Sequence, residues 1–240
     1  MEKVLTADNS ETFFSDQYKE TYHSKSGAIE ESLKKFVEPC QVSLKAKNKK
    51  IVLLDVCFGL GYNTAVAIDV IKENNPECGV EVFALENDVE ILKKIEEVNP
   101  KIKCYDEMKE MVRKVIKEFV EKNKITIKNK EEAKRITIQH KDIIMHMYLD
   151  DARIAIKQIK ERADAVFLDP FSPKVCPELW TEEFFKDIKQ TMKKDAILAT
   201  YSCARIVRDN LKAAGFEVKD GPCVGRRAPS TMGYLDYKKL

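Results

Sequence analysis

The segment Ile51-Val52-Leu53-Leu54-Asp55-Val56-Cys57-Phe58-Gly59-Leu60-Gly61-Tyr62-Asn63 constrains the fold of this chain more than any other stretch. An apolar run bounded by turn residues reads as a strand buried on both faces, as in a parallel sheet. Gly59 and Gly61 then supply a turn that can reach positive φ and let backbone approach a ligand. Thr64 to Lys72 carries apolar residues suited to a helix. A strand over Val80 to Leu85 and a helix over Asp88 to Val98 repeat the unit. This alternation predicts a Rossmann-like α/β fold, a doubly wound and mostly parallel sheet.

Residues 1–45 read as a small N-terminal extension, with aromatics at Phe13, Phe14, Tyr18 and Tyr22 and a helix over Ala28 to Val37. Residues 46–240 form the main domain, interrupted by a helical insertion at about 101–134. Its stripe of Met108, Met111, Val112, Val115, Ile116 and Phe119 is a core-packing face. Alternating residues on either side of His140-Lys141-Asp142 predict a hairpin. A helix (152–160), a strand (165–168), a helix (179–192), a strand (196–202) and a helix (204–214) follow, then a short Gly/Pro-rich C-terminal section.

With 42 Lys and Arg against 40 Asp and Glu, net charge is +2. That balance excludes a protein that coats nucleic acid through bulk charge, while local basic patches stay open. The N-terminus lacks the apolar stretch of a secretory signal, and no apolar run approaches membrane-spanning length. Seven cysteines without a Cys-x-x-Cys pair and only three histidines suit reduced thiols and no metal centre. The expectation is a cytoplasmic protein without membrane or metal.

In open α/β sheets ligands bind beyond the carboxyl ends of the strands. The acids there are Asp55, Glu86, Asp151 and Asp169. A Gly-x-Gly turn also suits nicotinamide cofactors, but Thr64 stands where their third glycine belongs, and no Gly-Lys-Ser/Thr phosphate loop is present. A cofactor without a pyrophosphate needs neither, which favours S-adenosylmethionine, with Glu86 accepting from the ribose hydroxyls. Glu86 and Asp151 also fit as helix N-caps. Asp169-Pro170-Phe171-Ser172-Pro173 places a carboxylate where it could orient an amine and accept its proton. An ordinary proline turn is the plainer reading.

Together these motifs resemble the methyltransferase part of the MnmC-type tRNA enzymes. The resemblance runs through FFSDQYKETYHSKSGAIEES (Phe13 to Ser32), FGLGYN (Phe58 to Asn63), ALEND (Ala84 to Asp88) and LDDAR (Leu149 to Arg153). It continues in DAVFLDPFSPKVCPELWTEEFF (Asp164 to Phe185) and in ATYSCARIVRDNLKAAGFEV (Ala199 to Val218), followed by Gly225-Arg226-Arg227. Leu60, Tyr62, Asp150 and Pro170 depart from the family pattern. The resemblance implies methyl transfer from S-adenosylmethionine to the exocyclic amine of 5-aminomethyl-2-thiouridine at the tRNA wobble position. It implies that Gly59, Gly61 and Asn63 face the methionine end of the cofactor. Glu86 would take the ribose, Asp151 the adenine side and Asp169 the amine, with Tyr22 and Gly27 of the extension helping to close the pocket. Many bacterial relatives carry a fused flavin oxidase, for which 240 residues leave no room, so a stand-alone methyltransferase is expected.

For tRNA, the candidate phosphate contacts are Arg205, Arg208, Arg226, Arg227 and the run from Lys45 to Lys50. A flipped base would stack on Phe171 or Trp180, the latter equally suited to the core. Two rivals stay open: an aminopropyltransferase of the spermidine-synthase type, and a non-catalytic tRNA- or cofactor-binding module.

Overall fold

A computed structural model of the chain describes residues 1–125 and 134–236. The stretch 126–133 of the expected insertion lies outside the described residues. The chain opens with a three-stranded antiparallel sheet, β1 (Glu2–Leu5), β2 (Glu11–Ser15) and β3 (Glu20–Thr21). Helix α1 (Ala28–Glu31) runs directly into a π-helical turn, Ser32–Val37, and a short helix α2 (Val42–Lys45) leads to the main sheet.

That sheet contains β4 (Lys50–Val56), β5 (Gly79–Glu86), β6 (Lys134–His140), β7 (Ile143–Leu149), β8 (Ala163–Leu168), β9 (Met192–Thr200), β10 (Glu217–Asp220) and β11 (Thr231–Tyr234). Their order is β10-β11-β9-β8-β4-β5-β7-β6. Among these described strands, only β6 and β11 run against the others. Between the strands lie α3 (Tyr62–Asn74), α4 (Val89–Lys94), α5 (Tyr105–Ile125), α6 (Ala152–Ala155), α7 (Glu182–Gln190) and α8 (Arg205–Ala213).

The apolar run of β4 sits at the centre because its alternate residues feed two different cores. Ile51 and Leu53 pack with Ala65, Ile68 and Phe36 on one face, and Val52, Leu54 and Val56 with Ile156, Phe184 and Ile188 on the other. β8 divides in the same way, Ala165 and Phe167 against Val166 and Leu168. A strand apolar on both sides requires helices on both faces, and that makes the sheet doubly wound. Burying each of the large rings on these faces contributes about 2–3 kcal/mol.

Three boundaries differ from the sequence reading. α7 is shorter than 179–192, because Thr181 caps it through its hydroxyl and Met192 already pairs in β9. The C-terminal section is not a tail: β10 and β11 form a hairpin on the edge of β9. The first 21 residues hold β1 to β3, strands too short to show an alternation.

Candidate active site

Because β5 lies on one side of β4 and β8 on the other, the chain reverses direction across the sheet between β4 and β8. A crevice opens there at the carboxyl ends of the strands. It is a cavity of about 490 Å³, within the few-hundred-Å³ range of small-molecule sites.

The floor is the turn after β4. Cys57 and Phe58 both donate their N–H to the Leu85 carbonyl at 3.0 Å. Cys57 is left-handed (φ 67°) although it carries a side chain, a conformation that costs of order 1 kcal/mol and gathers at functional sites. Gly59 (φ 55°) lines the cavity and faces the Tyr22 ring, which a Cβ there would meet at 3.6 Å. Gly61 does something different. A Cβ on it would lie 2.6 Å from Phe58 Cζ and 2.8 Å from Met108 Cε, so it admits packing behind the cavity and starts α3.

Glu86 ends β5 and turns its carboxylate back toward that floor. It accepts N–H bonds from Gly59 (2.8 Å), Asn87 (2.9 Å) and Asp88 (2.8 Å). Burial pushes its pKa up to about 7 despite those three donors. Behind it Asp55, wholly buried, is likewise pushed up to about 7 by burial, although it accepts the Thr64 hydroxyl at 2.6 Å. Asp169 follows β8, and its Oδ2 accepts from Asn63 Nδ2 at 2.9 Å. Burial first and Glu31 second hold its pKa well above the usual carboxylate range, with the Asn63 bond opposing. Asp151 turns out to be both a helix cap and a cavity wall. It accepts from Arg153 N at 2.8 Å and pairs with the Arg153 guanidinium at 2.6 Å, which holds its carboxyl below the usual range.

The N-terminal extension forms a roof. Tyr22 donates its hydroxyl to Asp88 Oδ2 at 3.0 Å, Tyr18 stacks on Phe171 at 4.3 Å, and Glu20 accepts from both the N–H and the hydroxyl of Ser172. The Tyr201 hydroxyl, at the other end of the cavity, donates to the Pro170 carbonyl at 3.0 Å. Sequence reasoning missed Tyr18, Glu20, Tyr201 and the wall residues Glu31 and Lys35. Glu31 and Lys35, four apart beside Glu30 and Lys34, carry no signal that separates them from a solvent-facing pair.

Several expected site residues stand elsewhere. Gly27 does not line the cavity; its φ of 147° lets α1 begin against Asp8, whose carboxylate accepts from Ile29 and Glu30 N–H at 3.1 Å. Arg208 is committed to holding the C-terminal hairpin, donating to Thr231 Oγ1 (3.0 Å) and Ser230 O (3.2 Å) and pairing with Asp220 (2.6 Å). Arg205 projects into solvent with Asp209 as its partner. Arg226 is in the cavity wall and donates to the Tyr201 carbonyl, whereas Arg227 is exposed outside it. The run from Lys45 to Lys50 lies at the amino end of β4, about 20 Å of strand from the cavity. Its Lys45 is tied to the Asp164 and Asp195 carbonyls. Trp180 is core, 2% exposed, with its indole N–H on the Phe171 carbonyl at 2.8 Å.

The donor set fits a cation that also carries hydroxyls. Glu86 and Asp169 are carboxylates in the cavity wall without a salt-bridge partner among the described residues, a costly arrangement until a positive ligand arrives. S-adenosylmethionine has a sulfonium and an ammonium for such a site and a ribose for a strand-end glutamate. Among the described residues no group of three or more His, Cys, Asp and Glu could hold a metal ion, and no helix is long and apolar enough to cross a membrane.

A mostly parallel, doubly wound sheet with this acid-lined crevice defines the class of S-adenosylmethionine-dependent methyltransferases. The profile described as S-adenosyl-L-methionine-dependent methyltransferase matches residues 106–236. The crystal structure of MNMC2 from Aquifex aeolicus superposes with a TM-score of 0.79 at 36% identity, over 98% of this chain and 70% of that one. An uncharacterized protein of Methanocaldococcus jannaschii is 31% identical over 96% of this chain and 58% of its own length. The tRNA 5-methylaminomethyl-2-thiouridine biosynthesis bifunctional protein MnmC of Leptospira interrogans is 26% identical over 96% of this chain, which spans 35% of that protein. The chain therefore belongs to the MnmC-type family of S-adenosyl-L-methionine-dependent methyltransferases, which sets aside the aminopropyltransferase and non-catalytic alternatives.

Proposed function

We propose that the chain methylates the exocyclic amine of 5-aminomethyl-2-thiouridine at the wobble position of tRNA, giving 5-methylaminomethyl-2-thiouridine. The observation that carries this reading is Asp169, a carboxylate in the cavity wall anchored through Oδ2 by Asn63, with no hydrogen-bond partner for Oδ1 among the described residues. The name of the Leptospira relative agrees with the product.

When bound, S-adenosylmethionine supplies an electrophilic methyl group on sulfur. Glu86 would accept from its ribose hydroxyls, Asp151 would bound the adenine side, and Gly59 would let the backbone approach the methionine end. Asn63 acts through Asp169 by fixing Oδ2, and Gly61 acts by packing. Asp169 Oδ1 receives the substrate amine. A carboxyl with a raised pKa is matched to an amine that must give up a proton before attack. That proton would pass to Oδ1, leaving a neutral amine aligned on Asp169 for methyl transfer. Phe171, braced by Tyr18, is the ring on which a flipped base stacks, and Arg226 meets the backbone phosphate beside it.

The test is mass spectrometry of tRNA nucleosides after reaction with labelled S-adenosylmethionine. Label is expected on the wobble uridine alone, and Asp169→Ala should lower the rate at saturating S-adenosylmethionine by about 10²- to 10⁴-fold. Label on any other nucleoside refutes the substrate, and an undiminished rate in Asp169→Ala refutes the role of that carboxylate.

A further inference from the structure

A buried cation in the cavity wall has no function in the reaction as described. Lys35 lines the cavity and is only 4% exposed. Among the described residues its ammonium donates to one acceptor, Glu31 Oε1, at 2.6 Å. Glu31 itself is held on its other oxygen by the Ser24 N–H at 2.8 Å. A lysine ammonium has three donors, so two are left for whatever occupies the cavity it lines, water or ligand. Surface lysines leave donors to water, but this one can satisfy them only from the cavity.

Its backbone setting points the same way. Lys35 sits in the π-helical turn Ser32–Val37, closed by the Glu38 N–H on the Leu33 carbonyl at 2.9 Å. Single π-turns are uncommon and concentrate at functional sites, because the extra residue re-aims side chains that an α-helix would place elsewhere. Both ends of the Glu31–Lys35 pair act on Asp169, Glu31 raising its pKa and Lys35, more weakly, lowering it.

We infer that Lys35 is a substrate-recognising residue that donates a hydrogen bond to the C4 carbonyl oxygen of the nucleobase. The inference rests on the proposed function and deepens it. In a uracil bearing its amine arm on C5, the arm is flanked by C4=O on one side and C6–H on the other. Only the first is an acceptor. With the amine on Asp169, a donor beside Asp169 meets O4. Glu31 then has a defined role, holding the ammonium in place from behind and compensating its charge. The same arrangement disfavours a cytosine, whose C4 amino group would present a donor to a donor.

The test uses the whole chain and synthetic anticodon stem-loops with 5-aminomethyl-2-thiouridine or 5-aminomethyl-2-thiocytidine at the wobble position. The wild-type protein should methylate the uridine form about 10- to 100-fold more efficiently by kcat/KM. Lys35→Met should lose that preference while binding S-adenosylmethionine with unchanged affinity by calorimetry. Because Lys35→Met leaves Glu31 buried and unpaired, the double variant Glu31→Gln, Lys35→Met is measured beside it, and it too should show no preference. Retention of the full uridine preference in a folded variant of either kind overturns the inference and leaves the proposed function standing. A wild-type protein inert on both stem-loops refutes the proposed function, and the inference falls with it.

Discussion

Asp55 makes the ligand-free protein pay for its own active site, in a way that unfolding measurements can read. The residue is wholly buried one strand position before the floor of the cavity, with Oδ2 on the Thr64 hydroxyl and Oδ1 without a partner. Burial raises its pKa from 3.8 to about 7, and the nearby Glu86 adds to the rise. Between those two values the native carboxyl keeps a proton that the unfolded chain has released. The native state therefore binds more protons there, and stability falls as pH rises. Below 3.8 the penalty is absent, and above about 7 it is complete. A rise of about three units corresponds to roughly 4 kcal/mol at most. Asp55→Asn removes the charge and keeps an oxygen for Thr64. Urea unfolding of the ligand-free proteins should show the variant more stable than wild type by about 2–4 kcal/mol at pH 8, with the difference vanishing near pH 4. A cationic ligand offsets the same charge, so stabilisation by S-adenosylmethionine should be larger at pH 8 than at pH 5 in the wild type. Parallel stability curves from pH 4 to 8 for the two proteins would refute the reasoning.

Two further substitutions separate structural residues from functional ones. Arg208→Ala breaks the tie between α8 and the β10–β11 hairpin and should cost about 1–2 kcal/mol of stability; filter binding should find tRNA affinity within twofold of wild type, and a large drop would return Arg208 to the tRNA interface. Gly61→Ala combines a left-handed φ with a Cβ 2.6 Å from Phe58 Cζ and should lower stability by about 2–4 kcal/mol; a wild-type urea midpoint would show that the turn yields more easily than its packing implies.

The strands that carry the site are readable in one dimension because each is a local pattern. Ile51 to Val56 is apolar at every position except Asp55, and only a strand covered on both faces makes use of such a run. The acids at its neighbours' ends follow from the same logic, since a strand's carboxyl end is where an α/β sheet meets its ligand. Short edge strands lack that signal. β10 and β11 have four residues each, too few for a period, and the hairpin they form is held by Arg208, which in sequence resembles a free basic residue.

The roof of the cavity is illegible for a different reason: its bonds join residues far apart along the chain. Glu20 meets Ser172 across 152 positions, and Tyr22 meets Asp88 across 66. No spacing rule connects such partners, so the pocket role expected of Tyr22 and Gly27 comes from family resemblance, and the bonds that make the roof show only once the chain is closed. Glu31 and Lys35 show the converse. Four apart on a helix, they look like an ordinary surface ion pair of little energetic consequence. Burial reverses that reading, because a charge pair withdrawn from water is retained at a cost. A lysine buried at such a cost in the wall of a cavity rich in acids is better explained by what it binds than by what it stabilises.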